Sequence, residues 1–476
     1  MITLLVSIII LIIGYFVYSK ICERIFEIDN ERPTPAFSKR DGVDFVPLPR
    51  WKSFLIQFLN IAGLGPIFGA VAGAMWGPVA FLWIVLGCLI AGGVHDYFSG
   101  MLSVRNSGKS FTEISGMYLG NSVQLILRVL TFVLLIMVGV VFFVGPANIV
   151  VEMIKNEFFT VSLISSLILL YYFISTILPI DKIIGRLYPV FGVIFLFMSI
   201  GIFGALFYYK LPVSELTLSS FANFHSDAEE FPVFPMLFIT IACGAVSGFH
   251  ATQSPLIARC IKNEKEGRTV FFGTMATEGV VALIWAAISM SFFGGIRELN
   301  VFMDTNGGNA ALVVNEICND LLGSVGGVIT LIGVVVAPIT SGDTAFRSAR
   351  ILLADIFKID QKSMKKRAIL SLILFIMAFF ISKTDFGVIW RYFAWTNQTL
   401  ATFVLWTITV YLLQKNKFYW LALLPAVFMS MVVVSYILIA PEGFSLSKKV
   451  GYSVAIGMTG SSIILFFRYR WRLKTQ

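Results

Sequence analysis

The chain has 476 residues, of which 57% are hydrophobic and only 13% charged, and its mean hydropathy is +0.86. A soluble protein of this length could not bury so much apolar surface, so the composition excludes a water-soluble globular protein and indicates a polytopic membrane protein. The net charge of +9 does not indicate a nucleic-acid partner, because the basic residues concentrate in alternate loops between apolar segments.

Thirteen apolar segments are about long enough to cross some 30 Å of hydrocarbon as helices. The first lacks a basic start and a small-residue cleavage site, so it is interpreted as a retained span rather than a signal peptide. The pattern predicts an all-α polytopic membrane protein embedded in the lipid bilayer. In chain order, the candidate spans cover residues 2–18, 53–75, 79–102, 124–150, 161–178, 188–209, 232–257, 270–293, 325–346, 367–382, 386–412, 418–440 and 450–467.

The distribution of Lys and Arg predicts the orientation of these spans. If Arg367, at the start of span 10, is counted with the loop before it, the loops that follow odd-numbered spans hold 28 of these residues and the other loops hold 6. Arg128 and Arg391 lie within spans. Because cytoplasmic loops carry the basic excess, the N-terminus is predicted outside and the C-terminus in the cytoplasm, in a multi-pass protein of the cytoplasmic (inner) membrane.

Two spans carry similar interruptions, which predicts an internal repeat. Span 2 contains Asn60-Ile-Ala-Gly-Leu-Gly-Pro66, and span 7 contains Ser247-Gly-Phe-His-Ala-Thr-Gln-Ser-Pro255. They open two consecutive groups of five spans, 2–6 and 7–11, with opposite predicted directions. We therefore expect a five-plus-five inverted repeat with one extra helix before it and two after it. The predicted division is residues 1–50, a transporter core at 51–412 (repeats at about 51–210 and 231–412), and 413–476.

Interrupted helices in corresponding positions of inverted repeats point to a binding site, because free backbone groups and helix ends can meet a ligand there. The alternative is that these Gly and Pro residues only pack helices or kink them. Asn397 and Gln398 of span 11 are predicted to line the same cavity. The predicted substrate-binding residues are Asn60, Gly63, Gly65, Pro66, Ser247, His250, Thr252, Gln253, Asn397 and Gln398.

Ionisable residues inside spans are costly and are functional candidates by default. His95 and Asp96 in span 3 and Glu278 in span 8 lie at similar predicted depths of repeat-related spans, so they are candidates for proton coupling. A structural hydrogen bond between helices is the alternative for each of them.

Span 9 ends in a polar run that suggests a second coupling site. Thr340, Ser341, Asp343 and Thr344 supply oxygen ligands of the kind that hard cations prefer. A Na⁺ site at Ser341 and Thr344 would combine these hydroxyls with carbonyls freed by the break in span 2. Asp343 and Arg347 are four residues apart and could pair on one helical face. Helix capping at the membrane edge is the alternative.

Several common motifs are missing from the sequence. It contains no G-x-x-x-x-G-K-[ST] loop for nucleotide hydrolysis and no H-E-x-x-H zinc motif. The five cysteines have no paired spacing, so neither zinc nor a disulfide framework is predicted. No cofactor is expected, apart from H⁺ or Na⁺ as a coupling ion.

Four motifs are long and specific enough to indicate a family: Ala91-Gly-Gly-Val-His-Asp-Tyr97, the Ser247–Pro255 stretch, the segment from Asn263 to Gly279, and Ile339-Thr-Ser-Gly-Asp-Thr-Ala-Phe-Arg-Ser348. In these motifs, and from about Trp51 to Leu412 as a whole, the sequence resembles the carbon starvation protein A family (CstA). The resemblance implies a LeuT-like inverted-repeat fold of the amino acid–polyamine–organocation superfamily (APC). It also implies an inner-membrane carrier for peptides or pyruvate that is induced by nutrient limitation.

The sequence thus predicts a secondary active transporter that imports small peptides across the cytoplasmic membrane during nutrient limitation, coupled to a cation, with H⁺ favoured over Na⁺. A symporter for pyruvate or another small carboxylate is the first alternative. An uncoupled channel and a membrane-embedded enzyme using His95, Asp96 and Glu278 also stay open, as does the oligomeric state.

Overall fold

The structure is a computed structural model that describes residues 1–154, 156–178, 184–384 and 386–475, and its regular elements within these ranges are helices. Long apolar runs without charges form these helices, because a helix satisfies its own backbone groups in lipid. The first half contains α1 (Ile2–Phe26), α2 (Arg50–Ala62), α3 (Gly65–Trp76), α4 (Val79–Arg105), α5 (Phe111–Leu119), α6 (Asn121–Ile154), α7 (Val161–Ile177) and α8 (Ile184–Tyr208).

The second half begins with the short helix α9 at residues 233–240. The remaining helices are α10 (Gly248–Ala258), α11 (Glu264–Phe292), α12 (Ile296–Thr305), α13 (Ala310–Thr330), α14 (Ala337–Phe357), α15 (Met364–Ile381), α16 (Phe386–Gln414), α17 (Trp420–Ile439) and α18 (Lys448–Thr475). A π-helical segment, Leu331–Val336, joins α13 to α14, and α13 bends at Gly323.

Every predicted span contains helix, but not every one of these helices is long and apolar enough to cross a membrane. Among the described residues, seven helices are long and apolar enough to cross a membrane, or eight if the bent pair α2 and α3 is one span. Three helical pieces were not predicted: α5, α12 and the start of α13. They are too short or too polar to stand out as apolar segments, as the charged sequence of α12 illustrates.

The first interruption lies where the sequence predicts it. α2 ends at Ala62, and α3 begins at Gly65 with a bend of 51° between the two. Gly63 has a φ of +31°, a conformation that a residue with a side chain rarely adopts. A Cβ on Gly65 would overlap the Cys243 side chain, at 2.1 Å from its Cβ, so glycine here lets the two interrupted helices touch.

The predicted position of the second interruption is wrong. Ser247 to Pro255 is not the break: the non-helical stretch is residues 241–247, and α10 runs from Gly248 through Pro255 to Ala258. Pro255 is the eighth residue of α10, and helices in membranes tolerate an internal proline when neighbouring groups satisfy the backbone group that it frees. Gly244, with a φ of +89°, lies inside the break.

The core of the molecule surrounds α4 and α11. In the most apolar window of each, 83% and 89% of the residues are buried, against 22% in α18. α10 packs against α4 and α2, and α2 packs against α11, so both interrupted helices run through the centre of the bundle. α6 packs against α14. α17 and α18 follow at the periphery, with α17 packed on α16.

The segment between α1 and α2 covers one end of the bundle. Thr34 Oγ1 donates to the Ile261 carbonyl at 2.7 Å, and the Leu48 amide donates to the Cys260 carbonyl at 2.9 Å. Asp44 is buried there, 3.1 Å from Arg347 Nη1. Burial opposes ionisation of Asp44, but Arg350 and Arg347 outweigh it and hold the pKa of this carboxyl below its ordinary value.

Candidate functional site

Three ionisable side chains from three helices form a continuous buried chain. His250 of α10 lies between Asp96 of α4 and Glu278 of α11, and all three are 0% exposed. His250 Nδ1 is 2.8 Å from Asp96 Oδ2, and His250 Nε2 is 3.5 Å from Glu278 Oε2. The other Asp96 oxygen meets His95 Nδ1 at 2.7 Å. We call His95, Asp96, His250 and Glu278 the histidine–carboxylate cluster.

The interruption before α10 borders the histidine–carboxylate cluster. Cys243 lies within the break, next to Gly65 of the first break, and its Sγ is 3.5 Å from Ser247 Oγ. Cys243, His250 and Glu278 each offer one ligand atom, and these atoms lie within 4.8 Å of one another. The space between them therefore suits a proton or a single small cation.

Several atoms of the histidine–carboxylate cluster lack a hydrogen-bond partner among the described residues. They are both carboxylate oxygens of Glu278, His250 Nε2 and His95 Nε2. Leaving buried polar atoms unpaired costs about 1–3 kcal/mol each, more for charged groups, so such atoms call for a functional reason. An imidazole between two carboxylates can hold and pass on a proton, which is what the geometry allows chemically.

Asn397 of α16 holds the beginning of α10. Its Oδ1 accepts hydrogen bonds from the Phe249 amide at 2.7 Å and from Ser247 Oγ at 3.1 Å, while its Nδ2 has no partner among the described residues. The neighbouring Gln398 donates from Nε2 to the Phe238 carbonyl at 3.0 Å. Asn397 therefore contacts the second interruption at Ser247, whereas Gln398 contacts α9, just before it.

Aromatic rings fill the region between the two interruptions. Phe142 of α6 lies against Gly63, where an added Cβ would approach its ring to 3.0 Å. The same ring meets Phe249 and Phe393, with centroids 6.3 Å apart in both pairs. Asn60, one turn before Gly63, is buried and neither of its amide atoms has a partner among the described residues. Pro66, next to Gly65, starts α3 and is also buried.

The polar run of span 9 forms a second buried group. Asp343 Oδ2 accepts hydrogen bonds from Ser175 Oγ at 2.5 Å and from the Tyr188 hydroxyl at 2.6 Å. Ser341 Oγ donates to the Leu59 carbonyl at 2.9 Å, next to the first interruption. The hydroxyls of Thr340 and Thr344 instead bond to carbonyls of their own helix.

The suggested pairing of Asp343 with Arg347 is not found, and no ion pair joins them in the part of the chain that the structure describes. Arg347 Nη1 turns to Asp44, while its Nη2 donates to the carbonyls of Ser175 and Leu178 at 2.6 and 2.9 Å. The spacing of four residues permits an ion pair between Asp343 and Arg347. The Arg347 guanidinium instead pairs with the buried Asp44 carboxylate, which lies in the segment between α1 and α2.

Two predicted substrate residues lie away from the histidine–carboxylate cluster. Gln253 Nε2 contacts Ser348 Oγ at 3.5 Å, and Ser348 Oγ donates to the Thr252 carbonyl at 3.1 Å, so both face α14. Sequence reasoning missed four residues that belong to the site or its supports: Cys243, Ser175, Tyr188 and Asp44. Ser175 and Tyr188 are polar groups within apolar spans and could have been found, whereas nothing in the sequence distinguishes Asp44.

Comparison with known proteins identifies the family. The profile of the family described as "Carbon starvation protein CstA" matches residues 1–210 and 152–325. An uncharacterised membrane protein of Haemophilus influenzae is 42% identical over 61% of this chain and 91% of its own length. The peptide transporter CstA of Bacillus subtilis is 26% identical over 95% of this chain and 92% of its own length.

A further relative is named for a different substrate. The pyruvate/proton symporter BtsT of Escherichia coli is 26% identical over 58% of this chain, and the match covers 47% of BtsT. The chain therefore matches about half the length of that relative.

Two solved transporter structures share the fold. MhsT in complex with L-phenylalanine has a TM-score of 0.57 at 13% identity, with 87% of this chain and 99% of MhsT covered. A manganese transporter of Eremococcus coleocola has a TM-score of 0.51 at 13% identity, over 90% and 97%. At this identity the likeness concerns the fold alone, and it confirms the LeuT-like architecture. With its apolar helices, the matching profile and relatives that are named transporters, the chain is a multi-pass membrane transporter rather than an enzyme, and it belongs to the carbon starvation protein CstA family.

Proposed function

We propose that the protein imports small peptides across the cytoplasmic membrane by alternating access during nutrient limitation, driven by the inward H⁺ gradient. The proposed frame is thirteen spans with the inverted repeat predicted above, N-terminus outside and C-terminus in the cytoplasm. The two interrupted helices would rock against a scaffold that includes α6 and α14.

The observation that carries this proposal is the fully buried chain from Asp96 through His250 to Glu278. It joins α4, α10 and α11 through contacts between their side chains. A proton that arrives on Glu278 or leaves it changes the charge facing His250, and therefore changes how strongly α10 is held to α11. This gives a direct link between proton occupancy and the position of an interrupted helix.

Two observations favour a peptide as substrate. The relative that matches 95% of this chain is named a peptide transporter. The amides of Asn60 and Asn397 are buried near the interruptions with unpaired groups among the described residues, and neutral amides suit the hydrogen-bonding groups of a peptide bond. With Gly63, Gly65, Pro66, Ser247, Gln398 and His250 they form the proposed substrate region.

The test is uptake of a labelled dipeptide into proteoliposomes with an imposed pH gradient, without sodium, in the presence of unlabelled pyruvate. Accumulation that follows the gradient and resists pyruvate supports a proton-coupled peptide carrier. Uptake that does not depend on the pH gradient contradicts proton coupling. Flux that does not saturate with dipeptide concentration indicates a channel. Empty liposomes with the same gradient are the control.

A small carboxylate is the alternative substrate, and Na⁺ is the alternative coupling ion. The name of the BtsT relative supports a small carboxylate such as pyruvate. The contact of Ser341 Oγ with the Leu59 carbonyl, at 2.9 Å beside the first interruption, is the observation that favours Na⁺. If labelled pyruvate accumulates where the dipeptide does not, the carboxylate replaces the peptide as substrate. If uptake requires sodium, Na⁺ replaces H⁺ as the coupling ion.

A further inference from the structure

An apolar slot lies between the last three helices of the chain. Its volume is about 780 Å³, and its walls are formed by α16, α17, α18 and the end of α5. None of the residues assigned above to substrate or coupling belongs to the described residues that line it. The wall includes Trp395, Phe403, Trp406, Val433, Ile437 and Phe466.

The length and the lining of the slot suit a hydrocarbon chain. Along α16 the slot extends from Trp395 to Val410, about 22 Å at 1.5 Å per residue. Its lining is mostly aromatic and aliphatic, so burying a flexible hydrocarbon chain there is favourable.

One stripe of α18 faces the slot and continues into a basic end. Thr459, Ser462, Phe466 and Tyr469 recur at spacings of three and four residues, which places them on one helix face. Arg472 follows Tyr469 by three residues and extends this face.

The side chains at that end are available to bind an anion. Arg468, Arg472 and Lys474 are exposed, and within the described residues their side chains have no ion pair. Trp471 beside them is 68% exposed, as expected for an aromatic residue at a membrane–water interface. Thr459 Oγ1, deeper in the slot, is buried without a hydrogen-bond partner in the same part of the chain.

We propose that the slot is a binding site for an anionic glycerophospholipid. One acyl chain lies between α16 and α18, and the phosphate meets Arg472 with the neighbouring Arg468 and Lys474. The apolar wall holds the hydrocarbon, and the cluster of three cations selects an anionic headgroup over a zwitterionic one. The lipid then fills the space beside α16, the helix whose Asn397 holds the start of α10.

The slot can be tested by tryptophan fluorescence, because Trp395 and Trp406 line it. The purified full-length protein in detergent is titrated with phosphatidylglycerol that carries brominated acyl chains, and separately with phosphatidylcholine that carries the same chains. We expect phosphatidylglycerol to quench at a concentration about fivefold lower, and the quenching to shrink in Trp406→Phe.

Two pairs of matched variants distinguish lipid binding in the slot from lipid binding elsewhere on the surface of the protein. Ser462→Phe fills the slot and should abolish the phosphatidylglycerol preference, whereas Ile464→Phe, on an exposed position of the same helix outside the slot, should not. Arg472→Gln should remove most of the fivefold preference, whereas Lys449→Gln at the opposite end of α18 should leave it.

Equal quenching by the two lipids, or an unchanged preference in Ser462→Phe and Arg472→Gln, overturns the proposal. So does a concentration-dependent dimer that Ser462→Phe disrupts, because the occupant would then be a second copy. Elution profiles and melting curves identify variants that fail to fold. If Ser462→Phe or Arg472→Gln fails to fold, the Trp406→Phe titration supplies the decisive result. The readout needs no transport, so it is independent of the proposed function.

Discussion

Two buried carboxylates of the molecule have different surroundings. Both oxygens of Glu278 lack a hydrogen bond among the described residues, and its Oε2 lies 3.5 Å from His250 Nε2. Asp343 has one oxygen held by two hydroxyl donors, from Ser175 and Tyr188, while its Oδ1 has no partner in the same part of the chain. Fixed donors stabilise one charge state of a carboxylate, whereas a carboxylate without them can change its charge state at lower cost.

The comparison assigns different tasks to the two regions. The histidine–carboxylate cluster can bind and release a proton while α10 moves. The surroundings of Asp343, together with the contacts of Arg347 to Asp44, instead hold α7, α8, α14 and the segment after α1 in one arrangement. We therefore expect coupling to depend most on the first region, and stability to depend most on the second.

The largest expected effect is the loss of proton-driven uptake in Glu278→Gln. The amide keeps the size of the side chain but cannot release or take up a proton, so accumulation should fall to the level of protein-free liposomes. Uptake of a labelled dipeptide under an imposed pH gradient measures this. Asp343→Asn is the matched control and should keep proton-driven accumulation, at a reduced rate. Equal loss in both variants would contradict the division of tasks.

The second expected effect is a large loss of stability in Asp44→Asn. Removing the carboxylate leaves the buried guanidinium groups of Arg347 and Arg350 without their partner, and breaking a buried ion pair costs about 3–5 kcal/mol. Chemical unfolding in detergent measures the free energy of unfolding. Asp41→Asn in the same segment, at an exposed residue, serves as the control and should change stability far less. An Asp44 variant as stable as wild type would contradict the contacts described.

The pH dependence of the same carboxyl follows from the direction of its pKa. The pKa of Asp44 in the folded protein is held below the ordinary value of about 3.9 by the arginines, although burial acts in the opposite sense. Its contribution to stability is therefore present above about pH 4 and is lost as the pH falls through the lower folded value. The difference in stability between wild type and Asp44→Asn should be constant from about pH 5 to pH 8 and shrink in stronger acid.

The smallest expected effect concerns Ser341→Ala. The variant loses the hydrogen bond to the Leu59 carbonyl, which should cost about 1 kcal/mol of stability, and it should leave uptake in sodium-free buffer within about twofold of wild type. Comparing uptake with and without sodium in both proteins measures this. A large loss confined to sodium-containing buffer would instead assign the coupling ion to this position.

The sequence predicts much of this architecture because long apolar segments leave few alternatives to helices in lipid. It also predicts that Asp96, His250 and Glu278 matter, since ionisable groups inside spans are rare. The sequence does not predict the position of the second interruption. Its polar residues and Pro255 predict a break at Ser247–Pro255, whereas the break is formed by residues 241–247, which include Gly244. Local composition does not reveal where a helix resumes after a break.

Contacts between distant parts of the chain could not be predicted. Asp44 reaches Arg347 across 303 positions, and nothing in the loop sequence distinguishes it from neighbouring acidic residues. Cys243 has no paired cysteine, so its position next to His250 and Glu278 emerges only when the two interruptions meet. For the same reason the i, i+4 spacing of Asp343 and Arg347 predicted a pair that the fold does not make.

The most direct measurement follows the proton itself. Proteoliposomes that contain a pH-sensitive dye receive a dipeptide from outside, without sodium and without an imposed gradient. Proton-coupled import predicts that the dipeptide acidifies the interior with wild-type protein but not with Glu278→Gln, while Asp343→Asn still acidifies it. Dipeptide import without acidification in the wild type, or acidification at the wild-type rate in Glu278→Gln, would contradict the proposed role of the histidine–carboxylate cluster.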